Sequence, residues 1–301
     1  MGKSVCIANG SFKDIDGSIT FSYTMATALA DMVFSVYYYS PDMDGRGNVE
    51  KEFFNAGIQP YNGQSLDLCL ASQDKGLRFV GKCPVIQTCH SIMEQPVSGM
   101  SSYVAITEEV CEYLVHRGLQ TTLVRSGIDL KRFCPRKKLN DIPKVLSVCQ
   151  GDDSLLREAC IRIGWRFQSV PKDHKYRVWH IEDLMNNADL VVGSGRVLYE
   201  AMACGRACLS WDNCKLAPTQ GCGYVDESNW YECANTNFTG RGFLTIEDVD
   251  VMMSELQKYD SRDGDIMRGF AERELDARKN AVKYLSLAGI PCSLPFELFT
   301  R

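Results

Sequence analysis

The chain has 301 residues, 45% apolar and 24% charged, with a formal net charge of −5 at pH 7. That length suits two domains of roughly 150 residues each. The acidic balance excludes a general attraction to nucleic acid or to an anionic membrane. Residues 1–140 hold 14 Lys+Arg against 14 Asp+Glu, which leaves 19 against 24 in the remainder, so neither half is a basic module. No apolar run approaches the roughly 18 residues that span a bilayer, and Met1-Gly2-Lys3-Ser4 leads straight into a short apolar run without a leader pattern. The expectation is a cytoplasmic protein whose 14 cysteines are reduced thiols packed as small apolar residues. Cys204, Cys208, Cys214 and Cys222 fall close together, but their spacing matches no common zinc pattern.

In chain order, SVCIA (4–8) reads as a short strand. The stretch 16–32 has helical spacing, with Ile19, Tyr23, Ala26 and Ala30 on one face. VFSVYYY (33–39) is β-branched and aromatic, hence a strand, and residues 48–56 read as a helix. Further short strands are expected around 66, 86 and 103. Thr107 is a plausible cap for a helix through Arg117 that Gly118 stops, and TTLVR (121–125) returns as a strand. KRFCPRKKLNDIP (131–143), charged and bounded by prolines, is the best linker. The alternation then restarts: strand 144–149, helix 152–163, strand 167–170, helix 181–187, strand 189–192, helix 195–204, strand 207–211. Helices near 246–258 and 264–288 close the chain. Near-continuous apolar strands alternating with helices imply α/β architecture, with parallel sheets covered on both faces. Two such Rossmann-like halves facing a central cleft are expected.

The chemistry gathers at VVGSGRVLYEAMACGRACLS (191–210). In open α/β sheets ligands sit beyond the carboxyl ends of strands. Gly193 and Gly195 allow close approach to the backbone, and the start of the following helix favours an anion. Leu198 breaks a GxGxxG dinucleotide fingerprint, no Gly-Lys-Ser/Thr follows, and Ser194 is flanked directly by glycines, which rules out a nucleophile elbow. Taken alone, a Gly-Ser-Gly turn before a helix is often purely structural, and Glu200 then reads as a solvated helix residue paired with Arg196 at i−4. His90 alone reads as a polar strand-end residue satisfied by backbone, and Asp14 and Asp16 as a solvated turn.

GSGRVLYEAMACGRACLS resembles the glycine loop and LEAMACGKPV helix of retaining GT-B glycosyltransferases of family 4 type. VIQTCHS, SYVAITEEVCEYLVHRGL, RSGIDLKRFCP and NFTGRGF resemble further segments of that family in the same order, over roughly residues 85–288. The resemblance implies a GT-B fold and a metal-independent, retaining sugar transfer with no cofactor beyond the nucleotide-sugar donor, a UDP-sugar above others. It implies an acceptor-side domain 1–138, a donor domain 139–285 and a tail 286–301 that crosses back. His90 matches the histidine facing the donor sugar. Gly193, Ser194 and Gly195 match the loop at the donor, and Glu200 the glutamate that takes the ribose hydroxyls. Gly17 and Ser18, with Asn9-Gly10, match a turn-rich link near the donor phosphate and the acceptor. Val192 stands where the family has a first glutamate, and Ser126 where it has an asparagine. The usual diphosphate clamp is not found; Arg157, Lys172, Lys175 and Arg196 are candidates, Arg196 foremost. The acceptor would be a sugar, a lipid-linked sugar or a small hydroxylated molecule, with modified DNA also open. A nucleotide-sugar epimerase and a non-catalytic nucleotide-sugar binder are the alternatives.

Overall fold

The computed structural model of the chain describes residues 2–43, 47–72, 83–136, 140–171, 178–214, 217–241 and 243–292. Lys172, Lys175 and the tail from residue 293 lie outside them. Contacts divide the chain into two units, Met1–Asp129 with Leu275–Arg301, and Leu130–Glu274. The linker expected at 131–143 thus begins inside the second unit.

The first unit runs β1 (Ser4–Asn9), α1 (Gly17–Asp31), β2 (Ser35–Tyr39), α2 (Asn48–Asn55), β3 (Gln59–Pro60), β4 (Leu68–Ser72), β5 (Val85–Cys89), β6 (Ser102–Ala105), α3 (Glu108–Val115) and β7 (Thr121–Leu123). All described strand pairs are parallel, in the order β3-β2-β1-β4-β5-β6-β7. The central strands β1 and β4 are buried along nearly their whole length, which is why they read as unbroken apolar runs rather than alternating ones. Thr107 caps α3 by accepting from the Val110 amide, and Gly118 follows at φ +76°, as the sequence indicated. Asp16 caps α1, accepting from the Ile19 amide. Gly17 and Ser18 are therefore the first helical residues rather than part of the preceding loop, because Asp16 satisfies the helix start one residue before them.

The second unit runs β8 (Lys144–Ser147), α4 (Ser154–Arg162), β9 (Arg166–Ser169), α5 (Ile181–Asn186), β10 (Leu190–Gly193), α6 (Arg196–Ala203), β11 (Ala207–Cys214), β12 (Ala217–Val225), α7 (Trp230–Asn235), β13 (Leu244–Thr245), α8 (Val249–Leu256) and α9 (Asp263–Glu274). Its sheet order is β13-β12-β11-β10-β8-β9. The core strands β9-β8-β10-β11 are parallel, while β11, β12 and β13 pair antiparallel, a departure from the expected all-parallel sheet. Its core packs Val145, Leu190, Val192, Leu209 and Trp211 against Leu156, Met252 and Leu256.

The helix expected over 264–288 is two helices, α9 and α10 (Ala277–Leu287). The break is tertiary. Ile128 N–H donates to the Leu275 carbonyl at 2.6 Å, the Ala277 amide donates to the Ile128 carbonyl at 3.1 Å, and Asp276 caps α10 at the Arg278 amide. Helix α10 belongs with the first unit. It packs on α1, its Asn280 amide reaches the Arg125 carbonyl at 2.8 Å, and Tyr284 shares a hydrogen bond with Thr88 at 2.9 Å. The fold is α/β, with two parallel-dominated sheets.

Candidate functional site

In the second unit the apolar strand β10 ends at Gly193. Ser194 and Gly195 follow, and α6 begins at once. Gly195 has φ +63° and ψ −139°, a backbone state essentially restricted to glycine. A Cβ there would stand 3.2 Å from Asn237 Nδ2. Ser194 Oγ donates to Asp212 Oδ2 on β11 at 3.0 Å, so the serine side chain is committed to the neighbouring strand. What the loop offers a ligand is backbone and the start of α6, a helix of eight residues whose first amides point out of its end.

Asp212 also accepts from the amides of Gln150, at 3.0 Å, and Gly151, at 3.4 Å. One buried carboxylate thus ties the loop after β10 to the loop after β8. Gly151 is required for this: a Cβ on it would fall 1.5 Å from the Asn213 carbonyl oxygen. A second clamp comes from the turn after α7. Asn237 and Phe238 both have positive φ, 56° and 55°. The Phe238 carbonyl accepts from Ser210 Oγ at 2.8 Å, and Asn237 packs on Gly195. Asn237 Oδ1 is buried with no hydrogen-bond partner among the described residues.

One turn into α6, Glu200 is 6% exposed, not a solvated helix residue. Arg196 Nε donates to Glu200 Oε1 at 2.9 Å, and Arg196 is 8% exposed. The i−4 pair read from the sequence forms, but inside the protein. A second pair lies in the same unit. Arg132 donates to Glu182 Oε2 on α5 at 3.0 Å and to the Trp179 carbonyl, with Trp179's ring 5.1 Å from its guanidinium carbon. Burial raises the Glu200 carboxyl above the ordinary value; Arg196 and Arg132 pull it down without cancelling that, and the Glu182 charge adds to the rise. Burial acts upward on Glu182 too. There the hydrogen bonds from Arg132, from its own backbone amide and from His180 outweigh it, and its carboxyl lies below the usual value.

Of the other cations considered from sequence, Arg157 is exposed and stacks over Phe167 at 5.1 Å. Val192 is fully buried core. Among the described residues no group of three His, Cys, Asp or Glu is placed to hold a metal ion, and no described helix is long and apolar enough to cross a membrane.

The first unit gathers polar groups at the carboxyl ends of β1, β4 and β5. His90 follows β5; its Nε2 lies 3.3 Å from Ser72 Oγ, its amide donates to Glu94 at 3.0 Å, and Phe21 meets its ring edge-on at 5.0 Å. Asn9, fully buried, sends Nδ2 to Ser22 Oγ at 3.1 Å and to Ser18 Oγ at 3.5 Å, and Ser18 donates to Asp16 Oδ1 at 2.8 Å. Ser18 is thus brought to the strand ends by α1. The capping Asp16 is its charged neighbour there, and Gly17 carries no side chain.

Asp212, Asn237, Arg132 and Glu182 were not singled out from sequence. Asp212 acts through partners 18 to 62 residues away, and a lone Asp in a strand carries no local signal. Asn237 lies inside NFTGRGF, so its segment was noticed, but not its contact with Gly195.

No protein-family model and no curated protein sequence matches the chain. Solved structures of the same fold are found. Anabaena HepE in complex with UDP-glucose is 15% identical, with a TM-score of 0.58 over 94% of this chain and 99% of that one. An alpha-glucosyltransferase in complex with UDP and a 13-mer DNA containing an HMU base is 9% identical, with a TM-score of 0.59 over 96% and 100%. Acinetobacter baumannii MurG is 10% identical, with a TM-score of 0.52 over 94% and 99%. The fold is the GT-B fold of these proteins.

Proposed function

We propose that the protein transfers a sugar from a nucleotide-diphosphate sugar, a UDP-sugar above others, to a hydroxyl acceptor, with retention and without a metal ion. The observation that carries this is the glycine loop 193–195, pinned by Asp212 and Asn237, opening α6 with Glu200 one turn inside. The helix start and its amides suit the diphosphate, which must leave with its charge stabilised. A carboxylate paired with Arg196 suits two vicinal ribose hydroxyls, because it can accept from both. Arg196 serves first by holding Glu200, and its charge lies beside the loop where the diphosphate would sit. His90 would act on the transferred sugar, and the Gly17–Ser18 helix start would serve the phosphate or acceptor. The fold shared with proteins solved in complex with UDP-glucose or UDP supports this choice of donor. The net charge of −5 favours a sugar, lipid-linked or small hydroxylated acceptor over modified DNA, which the second of those proteins holds.

A second reading is a nucleotide-sugar binder without transfer, favoured by Val192, an apolar core residue where the resembling family has a glutamate. An epimerase would need a further acid/base pair. Thermal unfolding with UDP and UDP-glucose, with and without EDTA, tests donor binding. Ligand at about 100 times its Kd adds about 2.7 kcal/mol. A shift abolished by EDTA, or none with any nucleotide tried, overturns the reading. Turnover with acceptors, followed by the anomeric configuration of the product, separates transfer with retention from binding alone.

A further inference from the structure

The turn after α7 lies against the glycine loop, and its backbone is fixed from three sides. The Asn237 amide donates to the Ala234 carbonyl at 3.1 Å and the Phe238 amide to the Cys233 carbonyl at 2.8 Å, which closes the turn on α7. The Phe238 carbonyl takes Ser210 Oγ of β11 at 2.8 Å, and the buried Phe238 ring meets Tyr199 of α6 edge-on at 5.3 Å. Gly240, at φ +70°, comes so close to β12 that a Cβ there would stand 2.2 Å from Gly221 Cα. None of these contacts uses the side chain of Asn237. That residue has φ +56°, a backbone state that glycine adopts freely and asparagine tolerates. Its Oδ1 is buried and has no hydrogen-bond partner among the described residues. Its Nδ2 lies on Gly195, 3.2 Å from the point where a Cβ would stand.

A buried carboxamide oxygen without a donor is a cost that native folds accept at few places. Glycine at position 237 would satisfy the turn and avoid it. What asparagine adds is a donor, Nδ2, at the residue that opens α6. Other donors near the loop are turned elsewhere: Ser194 Oγ to Asp212, and Arg196 Nε to Glu200. Arg157 stacks over Phe167.

We propose that Asn237 is a further binding residue of the glycine loop, a neutral side-chain donor to a phosphoryl oxygen of the diphosphate. The inference rests on the nucleotide-sugar reading above and adds a residue to it. The first amides of α6 point out of the same helix end, and Nδ2 extends that set of donors from a separate element. An N–H bonded to an anionic oxygen is shorter and stronger than one bonded to a neutral acceptor, so the contact serves a charged ligand above an uncharged one. A role in the turn alone has different consequences. Glycine would then replace Asn237 without loss of affinity. Aspartate, close in size and also tolerated in left-handed backbone, would behave as asparagine does.

The test is isothermal titration of the full-length wild type, Asn237→Gly and Asn237→Asp with UDP-glucose and with uridine. Asn237→Gly should bind UDP-glucose about 10- to 100-fold more weakly, the loss of one hydrogen bond to a charged group. Asn237→Asp should bind it more weakly still, because a carboxylate then faces the phosphate, and high salt should restore part of that extra loss. Uridine, which lacks phosphate, should bind the three proteins alike. Thermal unfolding of the free proteins reports whether the variants fold. Should they not, wild type carrying isotope-labelled asparagine decides: a side-chain amide resonance should shift with UDP-glucose and stay in place with uridine. Wild-type affinity for UDP-glucose in both variants, equal losses for UDP-glucose and uridine, or no such shift overturns the role of Asn237 and leaves the nucleotide-sugar reading standing. Wild type that does not bind UDP-glucose removes that reading and this contact with it.

Discussion

The strand ends of the two sheets are built from different chemistry. In the first unit the ends of β1, β4 and β5 carry hydroxyls, an amide and one imidazole: Asn9, Ser18, Ser22, Ser72 and His90, with the carboxylates of Asp16 and Glu94 accepting from Ser18 and the His90 amide, and the ion pair of the buried Arg125 with Glu108 lies apart, after β7. In the second they carry buried charge, with Arg196 on Glu200, Arg132 on Glu182 and Asp212 drawing three donors, together with glycines that bring backbones into contact. Buried charges are costly to desolvate and persist where partners hold them. The same alternation of strand and helix thus yields one end that holds buried ion pairs and another built mainly from hydrogen-bonded hydroxyls. The difference lies in a handful of residues at the strand ends, not in the sheets.

The most severe way to break the charged end is through its backbone. Gly151→Ala puts a Cβ 1.5 Å from a β11 carbonyl oxygen, with the carbonyl carbon at 2.2 Å. Neither can move without disturbing the Asp212 bonds. The expected cost is about 4 kcal/mol or more, in the range of strain that a core cannot relax. Gly118→Ala in the first unit, at φ +76° but in open space, should cost only about 1 kcal/mol. Urea denaturation of the two variants measures the contrast, and equal destabilisation would show that Gly151 has room the structure does not contain.

At the neutral end, His90→Ala should separate sugar handling from nucleotide handling. Turnover is expected to fall about 10–1000-fold, the range for loss of one preorganised contact. Affinity for free UDP should stay near wild type, since the charged end is untouched. A folded variant transferring sugar at the wild-type rate would make His90 a structural residue bound to Ser72 and Glu94.

At the charged end, Glu200→Gln should weaken nucleotide affinity by about 1–3 kcal/mol. Glutamine is the better probe because Ala would leave Arg196 buried without its partner. Because the Glu200 carboxyl is raised in the fold, its neutral form is the better tolerated one, so at neutral pH the variant should unfold at no lower a temperature than wild type. Isothermal titration with UDP checks the first part; unchanged affinity would confine Glu200 to the ion pair.

Much of this contrast was legible in the sequence, and the reasons differ by element. The parallel strands announce themselves because burial on both faces leaves unbroken apolar runs, as in LVVG of β10. The glycine loop and Glu200 stand out because loop, helix start and carboxylate are local. The strand β12, APTQGCGYV, was missed because its large apolar residues, Tyr224 and Val225, stand only at its end and it pairs antiparallel with β11 through register shifts. Helix α9 ends and α10 begins with no glycine or proline between them; the break comes from Ile128, far away in sequence. Asp212 and Asn237 are invisible locally because their partners, Gln150 and Gly195, lie across the fold.

The smallest expected effect concerns the proton. Burial raises the Glu200 carboxyl, so it takes up a proton at higher pH than an ordinary glutamate. A protonated Glu200 cannot accept from two ribose hydroxyls, so nucleotide-sugar affinity should weaken as pH falls through that raised value. The stability of the free protein responds in the opposite sense. A carboxyl raised in the folded state contributes stability that is fully present below its unfolded value and lost as pH rises through its folded one. Glu182, whose carboxyl is lowered, behaves the other way: its contribution is present above the unfolded value and is lost as pH falls through the folded one. The two windows lie on opposite sides of the ordinary glutamate range, so they can be told apart. UDP-glucose is the ligand to titrate, because its diphosphate is esterified at both ends and lacks the ionisation near about 6 of a terminal phosphate. Wild type should lose about tenfold in affinity or less across the upper window, and Glu200→Gln should show no such limb. The difference in unfolding free energy between the two proteins should change over the same window with opposite sign. An identical acid limb in both proteins would place the titrating group elsewhere and remove Glu200 from the ligand.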